Sequence, residues 1–417
     1  MTTAASASRG GSFATSWCDL DLTRAVEQTA IFLAFSLSQS DVRRYRKTGT
    51  QLALQSMLGY LSRAYCCGKF AHVEPDEERS GSLGALWAAL QSTRSDQWDF
   101  GRAPDQEQWQ LEVVMSAVSG RGALLAGHDN GALSAIAGGA PGSFISGQST
   151  DLCADYLVVV TPPGILGRES LSELLAQLEL VDRNGNINRR FDVAGFVERL
   201  LVGTLDSFRS DSHPPTIASN SNERDFSSKT IHPILQKVSR ARIFTGSAVG
   251  AGLSALIPDL GVDAYIGVMR RPQAIVLAAA AKSTGGLSLA LPVDRKVGKN
   301  TDAVSMVHDR TVAWDDDLVP GDDVFVLATA ITENLMLRGV RFSQGQATTQ
   351  TLCLRSRTKS RRIISHTQDV ESLVLHLLDS RGQELESPLS PSPRLSVDHD
   401  GVNDKWLDDD WVHTALY

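Results

Sequence analysis

Between residues 241 and 366 the chain alternates short β-branched apolar runs with longer helical ones, and this alternation restricts the fold more than any other feature. ARIFTG (241–246), VDAYIGVM (262–269) and DVFVLATAIT (323–332) read as strands. AVGAGLSALI (248–257) and PQAIVLAAAAKSTG (272–285) read as helices. The second opens on Pro272, whose fixed φ and missing N–H suit a first helical turn. TQTLCLRSR (349–357) and SRRIISH (360–366) are two further strands, near enough in sequence to pair. Strands and helices in this order predict an α/β fold built of layers.

The first half is less regular. Leu22–Leu37 carries Val26, Ala30, Leu33 and Leu37 at helical spacing, and a second helix is expected over Gln51–Tyr65. Between them Arg43, Arg44, Arg46 and Lys47 form a basic patch, read as a solvated loop. Residues 111–139 mix apolar runs with Gly and Ser, as strands joined by tight turns do. Asp155–Gly164 is a buried strand ending in a Pro-Pro turn, and helical periodicity returns within 168–202. The expected organisation is a disordered N-terminal tail (1–19), an N-terminal half (20–208), a polar loop or linker (209–229), a C-terminal α/β half (230–380) and a disordered acidic tail (381–417).

Charge and cysteine content exclude several classes. With 40 basic and 48 acidic side chains, the net charge of -8 offers no positive field for nucleic acid or an anionic membrane. No stretch is apolar for the roughly 18 residues a membrane span needs. The five cysteines (Cys18, Cys66, Cys67, Cys153 and Cys353) contain no CxxC pair, which speaks against a disulfide framework or a zinc site and suits a cytoplasmic location. Adjacent Cys66 and Cys67 read as idle thiols, His128-Asp129 as a turn, and Glu74, Asp76, Glu77 and Glu78 as a solvated charge run.

Three segments carry a family resemblance: GVDAYIGVMRRPQAIVLAAAAKSTGG (261–286), GDDVFVLATAITENLMLRGVRF (321–342) and ATTQTLCLRSRTKSRRIISH (347–366). With LTRAVEQTAIFLAF near the start, they resemble the class II fructose-1,6-bisphosphatases, in particular the cyanobacterial form that also accepts sedoheptulose-1,7-bisphosphate. The resemblance implies an α/β/α/β/α sandwich with two halves sharing a cleft. It also implies a homo-oligomer and a metal-dependent sugar-bisphosphate phosphatase ancestry in gluconeogenesis or the Calvin cycle.

Hydrolysis of a phosphate monoester concentrates negative charge, which two divalent ions offset while readying a water for attack. Mg²⁺ and Mn²⁺ are hard cations that need several converging carboxylates. The resemblance places five such carboxylates, and only Glu74 is retained. The other four positions hold Thr50, Ser116, Ser119 and Gln273. Glu112 is the one acid near the two serines, but it lies four residues before Ser116. Positions matching the family's substrate contacts are Gly120, Arg121, Cys153, Arg224, Thr245, Gly246, Ser247 and Arg270; Gly120, Gly246 and Arg224 keep the family's residue type, and the others are changed.

Neutral hydroxyls and an amide cannot offset two doubly charged ions. The expectation is therefore a catalytically inactive family member without catalytic residues or metal cofactor. Such a chain would have a binding or assembly role, as a homo-oligomer or as a hetero-oligomer with an active paralogue. Arg121, Arg270 and Arg271 appear beside the positions that lost acids; they read either as solvated or ion-paired groups or as direct partners of a phosphate or sugar phosphate held without metal. The alternative is an active Mn²⁺- or Mg²⁺-dependent bisphosphatase with a rebuilt site.

Overall fold

The computed structural model describes residues 22–34, 57, 60–61, 67–73, 99–100, 110–121, 124, 131–145, 155–165, 167–177, 196–198, 200, 216–220, 232–238, 240–244, 246–294, 305–306 and 313–370. They fall into two compact units: Met1–Val340 with Thr349–His366, and Arg341–Thr348 with Thr367–Tyr417.

In the first unit the helices are α1 (22–34), α2 (Arg168–Gln177), α3 (His232–Val238), α4 (Ala248–Ala255), α5 (Arg271–Thr284) and α6 (Asp315–Leu318). The strands from its start are β1 (Cys67–Val73), β2 (Asp99–Phe100), β3 (Gln110–Ser119), β4 (Leu133–Gly139) and β5 (Asp155–Thr161). They continue as β6 (Thr216–Asn220), β7 (Arg240–Phe244), β8 (Ala264–Arg270), β9 (Leu287–Asp294), β10 (Ser305–Met306), β11 (Ala313–Trp314) and β12 (Val324–Ala330). One sheet runs β12-β4-β3-β1-β2, and on its other side β12 pairs antiparallel with residues 351–355. The other sheet runs β10-β9-β5-β8-β6-β7, with β11 against β9.

The layering follows from which faces are apolar. Helix α5 is buried on nearly every side, as a helix trapped between two sheets must be. It shares one core with α4, with Val114, Leu133, Ala135, Val326 and Ala328 of the first sheet, and with Val158, Val160, Tyr265 and Ala290 of the second. The opposite face of the first sheet presents Val113, Met115, Ile136, Phe325 and Leu327 to Leu22, Val26, Ala30 and Leu33 of α1. The opposite face of the second presents Leu157, Val159, Ile266 and Leu291 to Leu171 and Leu175 of α2, to Phe196, Val197 and Leu200, and to Leu235 of α3. The order is α/β/α/β/α, the layered α/β sandwich expected. Sheets covered on both faces need continuous apolar strands, which VFVLATA of β12, buried at all seven positions, illustrates.

The second unit contains a hairpin. β13 (Arg341–Ser343) pairs antiparallel with Gln346–Thr348, the start of β14 (Gln346–Arg355). Its two-residue turn has Gln344 at φ 51° and Gly345 at φ 74°, the left-handed pair that matches strand twist. β15 is Ser360–Asp369.

Two expectations need correction. The supposed linker 209–229 contains β6, which lies between β7 and β8 in the second sheet. Its Ile217, Ala218 and Ser219 are fully buried, and small polar residues concealed a central strand. The chain also does not divide near 209–229 into two halves. The first sheet takes strands from both sides of that segment, and the observed units part instead at Arg341–Thr348 and Thr367–Tyr417. The tails 1–19 and 381–417 and the basic patch lie outside the described residues, as does most of the second expected helix; Met57, Tyr60 and Leu61 within it are helical. Among the described residues, no helix is long and apolar enough to cross a membrane.

Candidate functional site

The end of β3 and the first turns of α4 and α5 meet at one place. A bulge brings the sequence-marked residues there. β3 pairs Ser116 with Ala135 and Ser119 with Leu133 of β4, with a register break between the two serines. A regular strand would point residues three apart to opposite faces. The bulge returns both serines to the face that carries Ala135 and Leu133, which is the face packed on α4 and α5. Ser116 and Ser119 are completely buried.

Gly120 turns the chain away from the strand with φ 91°. A Cβ there would stand 2.8 Å from the Ser247 nitrogen, so the position needs glycine for both conformation and space. Ser247 is the N-cap of α4. Its Oγ accepts from the Gly250 N–H at 2.9 Å, the usual service of a capping serine. The same hydroxyl donates to Ser119 Oγ at 2.6 Å. Its backbone N–H donates to the Gly131 carbonyl at 2.9 Å, and the Gly131 N–H to the Glu333 carbonyl at 2.8 Å.

Gln273 approaches from the first turn of α5. Its Oε1 accepts from the Arg270 N–H at 3.4 Å, and its Nε2 donates to Ser119 Oγ at 3.5 Å. The Val249 N–H also reaches Ser119 Oγ, at 3.5 Å. Three donors thus converge on one serine oxygen. Ser247 is 2% exposed and Gln273 9%, so water does not compete freely for these groups. Arg270 and Arg271 open α5 at the same end, Arg271 only 4% exposed, and Arg121 follows Gly120.

Of the positions singled out from sequence, the structure brings Ser116, Ser119, Gly120, Gly246, Ser247, Arg270 and Gln273 to this region. Gly246 lies against Gly120 and Gly131. Glu74, Thr50, Cys153, Arg224 and Thr245 lie outside the described residues. Ser247, which matches a family substrate-contact position, caps a helix with its hydroxyl; a serine directly before an apolar helical run is the sequence signal for that cap. Glu112 does not turn toward the serines: its Oε2 accepts from the Phe144 N–H at 3.0 Å. The Gly131 and Glu333 links were not foreseen, because backbone bonds leave no residue-type signature.

The described part of this site does not fit a pair of divalent ions. Ser119 Oγ faces hydrogen-bond donors, and the N-terminal ends of α4 and α5 present partial positive charge. Among the described residues no three His, Cys, Asp or Glu side chains gather as a metal-binding group. A hard dication at this point would meet N–H and O–H dipoles directed toward it where it needs carboxylate oxygens.

Comparison with known proteins agrees with the fold. The sequence model of the family described as bacterial fructose-1,6-bisphosphatase, glpX-encoded, matches residues 221–368. Two Synechococcus proteins, of strains JA-3-3Ab and JA-2-3B'a(2-13), are each 24% identical to this chain, over 84% of it and 95% of their own length. A Crocosphaera subtropica protein is 22% identical over 84% of this chain and 96% of its own. All three bear the name D-fructose 1,6-bisphosphatase class 2/sedoheptulose 1,7-bisphosphatase. With the family match on residues 221–368 and these relatives spanning most of the chain, the protein is similar to the class II fructose-1,6-bisphosphatases.

Proposed function

We propose that this chain is a sugar-bisphosphate phosphatase relative that binds a phosphate-bearing sugar without divalent ions and does not hydrolyse it. The observation that supports this most is the Ser119–Ser247–Gln273 cluster, whose hydrogen bonds occupy two positions where the family resemblance calls for acids. Two-metal hydrolysis needs carboxylates to hold the ions and a metal-bound water to attack phosphorus. A neutral cluster supplies neither. Positive helix ends and the nearby Arg121, Arg270 and Arg271 favour an oxyanion instead.

The role that follows is binding or assembly in the cytoplasm, as a homo-oligomer or beside an active paralogue. The test is phosphate release from fructose-1,6- and sedoheptulose-1,7-bisphosphate with Mn²⁺ or Mg²⁺, together with melting in chelator as either sugar is titrated. The expected result is no release above blank and a saturable rise in Tm. Metal-dependent turnover that vanishes in Glu74→Ala overturns the proposal in favour of a working enzyme with a rebuilt metal site.

A further inference from the structure

We infer that Ser119, Ser247 and Gln273 form a metal-independent clasp, fastening the end of β3 to the first turns of α4 and α5. The inference rests on the reading of positions 119 and 273 as former cation-ligand positions. It goes further by giving the replacements a present task.

Unconstrained drift would leave three unrelated polar side chains in a buried place. Here their chemistry is reciprocal. Ser119 supplies the acceptor; Ser247, Gln273 and the Val249 N–H supply donors. Ser247 uses its lone pair on the Gly250 N–H and its proton on Ser119. Gln273 uses its carbonyl on the Arg270 N–H and its amino group on Ser119.

Glutamate could perform the first task of Gln273 but has no proton for the second. A carboxylate at 273 would set a second acceptor against Ser119 Oγ where the amide now donates. An amide can donate to a hydroxyl oxygen with no ion at all. Elements that dications could join by charge are joined here by hydrogen bonds, and Gly120 lets the two backbones come close enough for the short Ser119–Ser247 bond.

The test is thermal unfolding of the full chain in chelator and in Mn²⁺, comparing the natural sequence with Ser119→Ala, Gln273→Glu and the double variant. The clasp predicts the same Tm for the natural chain in both buffers. Each single variant lowers Tm by about 3 °C or more. The double variant loses less than the sum, because both substitutions cut the same bond. Gln273→Glu keeps shape and helix cap, so it carries the test should Ser119→Ala fail to fold. Single variants within about 1 °C of the natural chain, or strictly additive losses, overturn the clasp. A saturable rise of the natural chain's Tm with Mn²⁺ overturns the metal-free reading instead, and the variant cycle then decides the clasp separately.

Discussion

The Ser247 hydroxyl donates to the Ser119 hydroxyl across 2.6 Å, although the two residues stand 128 positions apart in the chain. The contact ties a strand end of one sheet to a helix of the central layer, at the place where the family resemblance calls for acids. Its neutrality separates this site from one that holds dications.

Restoring the acids should restore metal dependence. Ser116→Asp, Ser119→Glu and Gln273→Glu, combined with Thr50→Asp, replace hydroxyls and an amide with carboxylates. In chelator this variant should melt below the natural chain, since the carboxylates gathered at 116, 119 and 273 repel one another and the Gln273–Ser119 bond is lost. Mn²⁺ should raise its Tm saturably, with a gain near 2.7 kcal/mol at about a hundred times Kd. Calorimetric melts in chelator and Mn²⁺ check both statements.

Gly120→Ala should destabilise strongly. The left-handed φ of 91° costs a residue with a side chain roughly 1–3 kcal/mol. The added methyl also meets the Ser247 nitrogen at 2.8 Å, in backbone that cannot step aside. A fall in the denaturant midpoint with an unchanged slope would match this account.

The layered fold was legible because buried strands and a buried helix are apolar throughout: VFVLATA and AIVLAAAA admit few other placements. Strand β6 was not, because TIASN has the composition of a loop and its burial comes from its neighbours β7 and β8. At the site, the absence of carboxylates at 116, 119 and 273 could be read directly. The bulge that turns Ser116 and Ser119 to one face could not, since register depends on the pairing with β4. The second task of Ser247 also needed coordinates, because a capping serine and a serine that caps and donates look alike in sequence.

Glu27 of α1 is buried, and its carboxylate accepts from Thr351 Oγ1 at 3.2 Å and lies 2.8 Å from His366 Nδ1. These bonds attach the first helix to the last two strands. His366→Ala should cost roughly 1–3 kcal/mol by taking a partner from a buried acid. Hydrogen exchange should show the loss as faster opening of residues 22–34.

Asp315 has its carboxyl held above the ordinary range, first by burial and then by the charge of Asp316. The folded state therefore binds this proton more tightly than the unfolded chain does. Stability from this group is greatest below the ordinary carboxylate pKa and declines as pH rises toward the raised folded value. Asp315→Asn should melt higher than the natural chain at about pH 7, with the difference closing toward about pH 4. Melts across that range check the sign.

The most direct measurement is a titration of the purified chain with Mn²⁺ by isothermal calorimetry, with fructose-1,6-bisphosphate absent and then present. The account predicts no ion bound at micromolar affinity in either case. Two ions bound per chain would contradict it.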